Sequence, residues 1–383
     1  MSISERIRES INYLFIFSTI NDDFIVNHIG GMSLKVILGA FVLVNINRLL
    51  SFRYNQRYNR PFICLIITMI LAMVVNMFRY NDIGLAINSF IAISVIFVVF
   101  SQEENPEKYI KWYIISALFS SFLCITAIDT VEEYTFRKTG GTGDPNEFSV
   151  TILIPLGIIL GKLLKSNKIK EKIILIAIVL TFSISLLLAG SKSAMLTLVL
   201  LILVFAGYIS SSSKTKHRVF VISGGLLLIV GIGIVINEYF GDVLQLMINR
   251  FDKTGSAQER FLSWEAGSEL FKASPFFGVG LGNYSNMVGI HFHSIVETSR
   301  AAHNMYMQAL VELGFIGCIP FLWFVFKPLH WQIKNRIYPL QIVFGYIPLL
   351  LMGFTLSLLV EKYVWVFYAF LYNQNTFFYN EKY

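Results

Sequence analysis

Apolar runs close to the ~20 residues that an α-helix needs to cross the hydrocarbon core of a bilayer recur along nearly the whole chain. They predict spans at 11–28, 34–49, 61–78, 83–100, 109–128, 148–164, 172–189, 194–209, 219–237, 304–326, 338–357 and 359–372. The expected fold is therefore all-α, a polytopic membrane protein with twelve transmembrane helices in a single transmembrane domain over 1–383. Its connectors are short except for one long polar insertion, 238–303, between the ninth and tenth spans. No internal repeat, low-complexity tract or second soluble domain interrupts the pattern. The first span is cut by Asn21-Asp22-Asp23 and lacks a small-x-small cleavage site, so it reads as a weak span and not as a signal peptide.

Composition supports that reading. Residues of the AVILMFWYC set make up 55% of the 383 positions and DEKR only 14%, against about 45–50% and about 25% in soluble domains. The net charge of +7 does not point to nucleic acid, because the basic residues sit in short clusters between apolar runs. Alternate connectors hold Arg48, Arg53, Arg57 and Arg60, then Lys108 and Lys111, then the lysines from Lys162 to Lys172, then Lys214, Lys216 and Arg218, then Lys327, Lys334 and Arg336. The intervening ones carry only Lys35, Arg79, Arg137, Lys138, Lys192 and Lys362. Positive residues mark the cytoplasmic side. Both termini are thus expected in the cytoplasm, with the loop 129–147, the break 190–193 and the insertion 238–303 on the extracytoplasmic face. Cys64, Cys124 and Cys318 each lie inside an apolar run without metal-ligand or redox spacing and read as packing residues.

Candidate chemistry gathers on that outer face. The insertion contains Gln258-Glu259-Arg260-Phe261-Leu262-Ser263-Trp264, read as an amphipathic helix, followed by a glycine-rich turn through Gly278, Gly280 and Gly282. Clustered glycines let backbone amides approach a phosphate, but this turn follows no predicted strand, so a plain tight turn is the stronger reading. Arg260 is permanently charged and shaped to fork two phosphate oxygens, against the plainer reading of a solvated loop charge. His303 lies where water meets membrane, ahead of Asn304, Glu312 and Gly314. Histidine accepts a proton near neutral pH because its ordinary pKa is ~6.5; the plainer reading is a ring packed at a helix end. Lys192, inside Ala189-Gly190-Ser191-Lys192-Ser193-Ala194, leaves a cation at the hydrocarbon boundary, a costly placement that is often functional. Snorkelling to the headgroups is its alternative.

Taken in order, these residues resemble the O-antigen ligase and O-antigen polymerase family of bacterial membrane glycosyltransferases, from about Gly140 to Gly317. The carriers are Gly140 with Gly141-Thr142-Gly143-Asp144-Pro145-Asn146, the Gly190-Ser191-Lys192 break, Arg260 with Trp264, Pro275 with Gly278 and Gly280, and His303-Asn304 followed by Glu312 and Gly314. Members usually carry arginine where this chain has Lys192, which leaves the charge but not the two-oxygen fork. The resemblance implies transfer of a glycan from a polyprenyl-diphosphate-linked oligosaccharide to a sugar hydroxyl, with inversion and with no cofactor, nucleotide sugar or obligatory metal. It implies the outer face of the bacterial plasma membrane, with membrane lipid and other polysaccharide export and chain-length proteins as partners. On this basis His303 is the expected base, Arg260 and Lys192 the diphosphate ligands, and Asn146 and Asn304 the residues that orient the base or bind sugar. Glu259 and Glu312 are candidates to tune His303, with nothing in the sequence to rank these roles.

Four functions compete. The loop at 140–146 looks more like that of polymerase members than that of core ligases, and this resemblance favours a repeat-unit polymerase over a ligase that moves finished polymer to a terminal acceptor. A lipid-linked oligosaccharide flippase would share the span count and basic inner loops, but its charges should line a cavity between repeated halves. An envelope scaffold anchored through Phe276, Phe277 and Phe292 would keep its function after loss of His303 and Arg260.

Overall fold

The computed structural model describes residues 2–52, 59–80, 83–126, 137–212, 255–292, 301–335 and 339–373. Among these the chain is all-helical. The helices are α1 (Ile3–Ile20), α2 (Asp22–Ile29), α3 (Met32–Val44), α4 (Ile46–Leu50), α5 (Arg60–Val75), α6 (Ile83–Ser101), α7 (Pro106–Thr126), α8 (Pro145–Lys165), α9 (Ile169–Ala189), α10 (Lys192–Ser212), α11 (Gly255–Ala273), α12 (Tyr284–His291), α13 (Met305–Asn335), α14 (Leu340–Met352) and α15 (Lys362–Tyr372). A single 3₁₀ turn, Met77–Arg79, follows α5. Six of these helices are long and apolar enough to cross a membrane, seven if the bent pair α2 and α3 forms one broken span. The predicted ninth span, 219–237, and the first part of the insertion lie outside the described residues.

The first predicted span differs from what forms. α1 starts at Ile3, where Ser2 and Glu5 make a capping box that satisfies its free amides, and ends at Asn21. The Asn21 side chain is buried and donates to the Phe17 carbonyl and, at 3.2 Å, to the Ser116 carbonyl of α7. Asp22 and Asp23 then open α2, where carboxylates favour a helix N-terminus, and α2 meets α3 at 117°. The eleventh and twelfth predicted spans fold as α14 and α15, of 13 and 11 residues, shorter than a perpendicular crossing needs.

The residues form two compact units, Met1–Phe119 with Ser256–Pro339 and Gly353–Tyr383, and Ser120–Gly255 with Leu340–Met352. In the first, α15 is buried along its whole length. Its Trp365 and Tyr372 stack on Phe324 of α13 at 5.3 and 4.8 Å, and Phe62 of α5 stacks on Phe97 of α6 at 3.8 Å. Polar ties that join α1 to the α3–α4 junction and to α7, and α4 to the α6–α7 connector, are Asn45 to Asn12, Asn12 to Tyr109, Lys108 to Glu9 and Arg48 to Glu103. In the second unit, α14 lies directly on α8, because Gly157 and Gly161 present no side chain and the backbone of Phe344 and Gln341 approaches them.

Candidate functional site

In the first unit the site is built around α11. Arg260, Ser263 and Trp264 share a face of this helix, being three and four residues apart. Ser263 Oγ donates to the Ala301 carbonyl at 2.7 Å and Trp264 Nε1 to the Ala302 carbonyl at 2.8 Å. The face that carries half-buried Arg260 is therefore the one that grips the segment ending in His303. Tyr284, at the start of α12, braces α11 from behind by donating its hydroxyl to the Ser263 carbonyl at 2.5 Å. Burial pushes that phenol up to about 12, so it remains a donor through the physiological range.

His303 is the one non-glycine residue with positive φ among the described residues, at 46°. An L-residue in the left-handed region costs about 1–2 kcal/mol, and such strain persists only where the surroundings enforce it. Here the His303 N–H donates to Ser357 Oγ at 2.9 Å and the Met305 N–H to the Gly353 carbonyl at 2.7 Å. Asn304 Oδ1 accepts the N–H groups of Tyr306 and Met307 at 2.9 and 3.0 Å. Asn304 thus serves as the N-cap of α13, fixing the backbone beside the histidine.

The glycine-rich turn proves structural, and the physical reason is where its amides point. Gly278 N–H bonds the Ser274 carbonyl, Val279 the Val311 carbonyl and Gly280 the Glu312 carbonyl, at 2.9–3.0 Å. Gly282 N–H bonds Glu312 Oε2 at 2.7 Å, and Tyr284 N–H reaches Glu312 Oε1 at 3.4 Å. With these donors committed to the protein, the turn is no phosphate cradle. α13 supplies the matching edge by breaking at Gly314 (φ 63°, ψ −171°), which frees Phe315 and Ile316 to donate to the Pro275 and Phe276 carbonyls. A Cβ on Gly314 would strike the Phe276 carbonyl, and one on Gly278 the Glu312 backbone, so both positions require glycine. Buried Glu312, which also accepts from the Gln308 amide at 3.2 Å, therefore anchors this turn. The side chain of Glu259 lies outside the described residues.

The second unit holds Asn146 and Lys192. Asp144 caps α8 by accepting the N–H groups of Asn146 and Glu147 at 2.6 and 2.9 Å, with Pro145 in the first turn. Asn146 Oδ1 in turn accepts from Arg137 Nη2 at 2.9 Å, and Arg137 Nε donates to the Ala189 carbonyl at 2.9 Å. Arg137 thereby ties the Pro-Asn loop to the end of α9, next to the Gly190-Ser191 break at which half-buried Lys192 begins α10. The amides of a helix N-terminus favour anions, which suits the cation placed there to the same ligand.

Sequence reasoning counted Arg137 only as a loop charge, and it did not single out Ser263, Tyr284 or Ser357. Their roles depend on neighbours 9 to 54 residues away, which no local pattern announces.

A comparison with curated proteins gives no match. Residues 176–322, the stretch that carries Lys192, Arg260, His303, Glu312 and Gly314, match the family model described as O-antigen ligase. The chain is a membrane protein, and over these residues it is similar to the O-antigen ligase family, which supports the O-antigen ligase and O-antigen polymerase resemblance seen in the sequence.

Proposed function

We propose that the protein is a polysaccharide repeat-unit polymerase of the bacterial plasma membrane. It transfers glycan from a polyprenyl-diphosphate carrier to an acceptor sugar hydroxyl on the outer face. The observation that carries this reading is His303, strained at φ 46° and gripped through its neighbours by the helix face that bears Arg260. The acceptor oxygen attacks the anomeric carbon of the carrier-linked sugar while His303 takes its proton. The anomeric C–O bond breaks with inversion, and its electron pair leaves with polyprenyl diphosphate. Arg260 and Lys192 are the cations that the family resemblance assigns to that anion. Loss of one such donor typically lowers the rate by ~10²–10³. Twelve spans with both termini in the cytoplasm fit the basic connectors.

The ligase reading is favoured by the description of the matched family model, the polymerase reading by the loop at 140–146. The length distribution of surface polysaccharide on a gel separates them, in cells lacking the protein and complemented with wild type or His303→Ala. Single repeat units at the surface of the deletion strain, with a ladder restored by wild type alone, support the polymerase. Long chains retained on their carrier support the ligase. A full ladder from His303→Ala removes the catalytic assignment.

A further inference from the structure

Beside the 3₁₀ turn Met77–Arg79, in the first unit, lies a cleft of about 690 Å³ that the transfer chemistry does not use. That volume falls within the ~300–1,000 Å³ usual for small-molecule sites. One wall is Phe78, Arg79 and Tyr80; the other comes from α11 and α12. Its base is prebuilt. Arg79 Nη1 donates to Asn76 Oδ1 at 3.1 Å and to Ser274 Oγ at 2.8 Å, and the Asn283 side chain reaches the Arg79 carbonyl at 3.4 Å. Tyr80 donates its hydroxyl to the Leu281 carbonyl at 2.9 Å, and burial raises its pKa, so it stays protonated.

The lining mixes opposite polar types with flat apolar ones. Both Arg79 bonds leave from Nη1, which keeps the Nε–Nη2 edge for a ligand. Glu269, paired outward with Lys272 at 2.6 Å, offers a carboxylate, and exposed His291 offers a ring nitrogen. Phe78, 92% exposed, adds an open aromatic face. A planar donor, a carboxylate acceptor and an aromatic face together suit adjacent hydroxyls and the C–H face of a neutral sugar ring. An acyl chain has no use for the polar groups, and an anionic headgroup would leave the Glu269 acceptor unused, whereas sugar hydroxyls can donate to it. The cleft also adjoins the reacting centre, because its wall residues Leu270, Val279 and Met287 pack in one cluster with Ala302, the residue before His303.

We propose that this cleft is a saccharide subsite that holds a sugar unit of the growing glycan away from the bond being made. The inference rests on the glycan-transfer reading above and adds to it where the chain is gripped between transfers.

The test uses the full-length protein in nanodiscs and oligosaccharides of one to three repeat units, released by mild acid from the surface polysaccharide of the producing cells. Binding is read by saturation-transfer NMR and chain length on gels. Phe78→Ala combined with His291→Ala is expected to weaken binding about tenfold, the scale of one lost hydrogen bond. It should also shorten the surface chains. Ala273→Trp, which fills the cleft from an exposed position on α11, should do the same, while His303→Ala still binds but makes no chain. If wild type binds no oligosaccharide, or if both cleft variants bind and polymerise like wild type, the subsite is overturned even where chain growth depends on His303. If chain growth does not depend on the protein at all, the functional reading falls and takes the subsite with it.

Discussion

His303 shows how a single residue is held for use. Its positive φ is imposed by bonds to its neighbours on both sides, from Trp264 to the Ala302 carbonyl and from Asn304 to the first turn of α13. Asparagine tolerates the left-handed region and is no base near neutral pH. His303→Asn is therefore expected to keep the melting temperature of the purified protein within a few degrees while abolishing chain growth. A folded His303→Asn protein that still extends chains would remove the histidine from the chemistry. Trp264→Phe leaves the Ala302 carbonyl without its indole donor, a cost of about 1–3 kcal/mol. The expected result is a lower melting temperature together with slower chain growth at unchanged protein level. The family resemblance singled out His303, Arg260 and Trp264 from the sequence, but nothing local indicated that Trp264 acts by holding residue 302.

At the scale of elements, the glycine-rich turn and the break in α13 form one device. Pro275 to Gly280 runs against Val311 to Ile316 as a short backbone pairing, and Glu312 closes its far end on Gly282 and Tyr284. Gly314→Ala puts a side chain into a conformation essentially reserved for glycine and against the Phe276 carbonyl, so a loss of about 3 kcal/mol or more is expected. Gly207→Ala, in an open stretch of α10, serves as the control and should leave the melt unchanged or raised. Glu312→Ala strands the buried Tyr284 amide and Gln308 side chain and removes the acceptor of the Gly282 amide. Destabilisation by about 2–4 kcal/mol in a detergent melt is the expected outcome. The glycines were visible in the sequence, yet their purpose was not, because a phosphate cradle and a backbone clasp ask for the same residue.

For the whole molecule, the alternation of basic and nearly uncharged connectors makes a definite orientation testable. With Cys64, Cys124 and Cys318 replaced by alanine, a single cysteine at exposed Ser285 should react with a membrane-impermeant maleimide in intact cells. One at exposed Asn167, between α8 and α9, should react only after permeabilisation. The reverse pattern would place the insertion and His303 in the cytoplasm and defeat the proposed reaction, whose carrier-linked substrate is on the outside.

The sequence by itself determined that this is a helical membrane chain, where most of its long helices run, and which family it resembles. Hydrophobic length and residue order are local properties, and α6 to α10 follow the predicted spans within a few residues. Only the tertiary structure decided that Asn21 ends α1 against α7, that α15 is a buried helix too short for a perpendicular crossing, and that Arg137 joins Asn146 to the end of α9. It also decided that Glu312 serves the turn at Gly282. The reason is the same in each case: a buried polar group takes whichever partner packing brings within about 3 Å, and packing joins residues that sequence distance keeps apart.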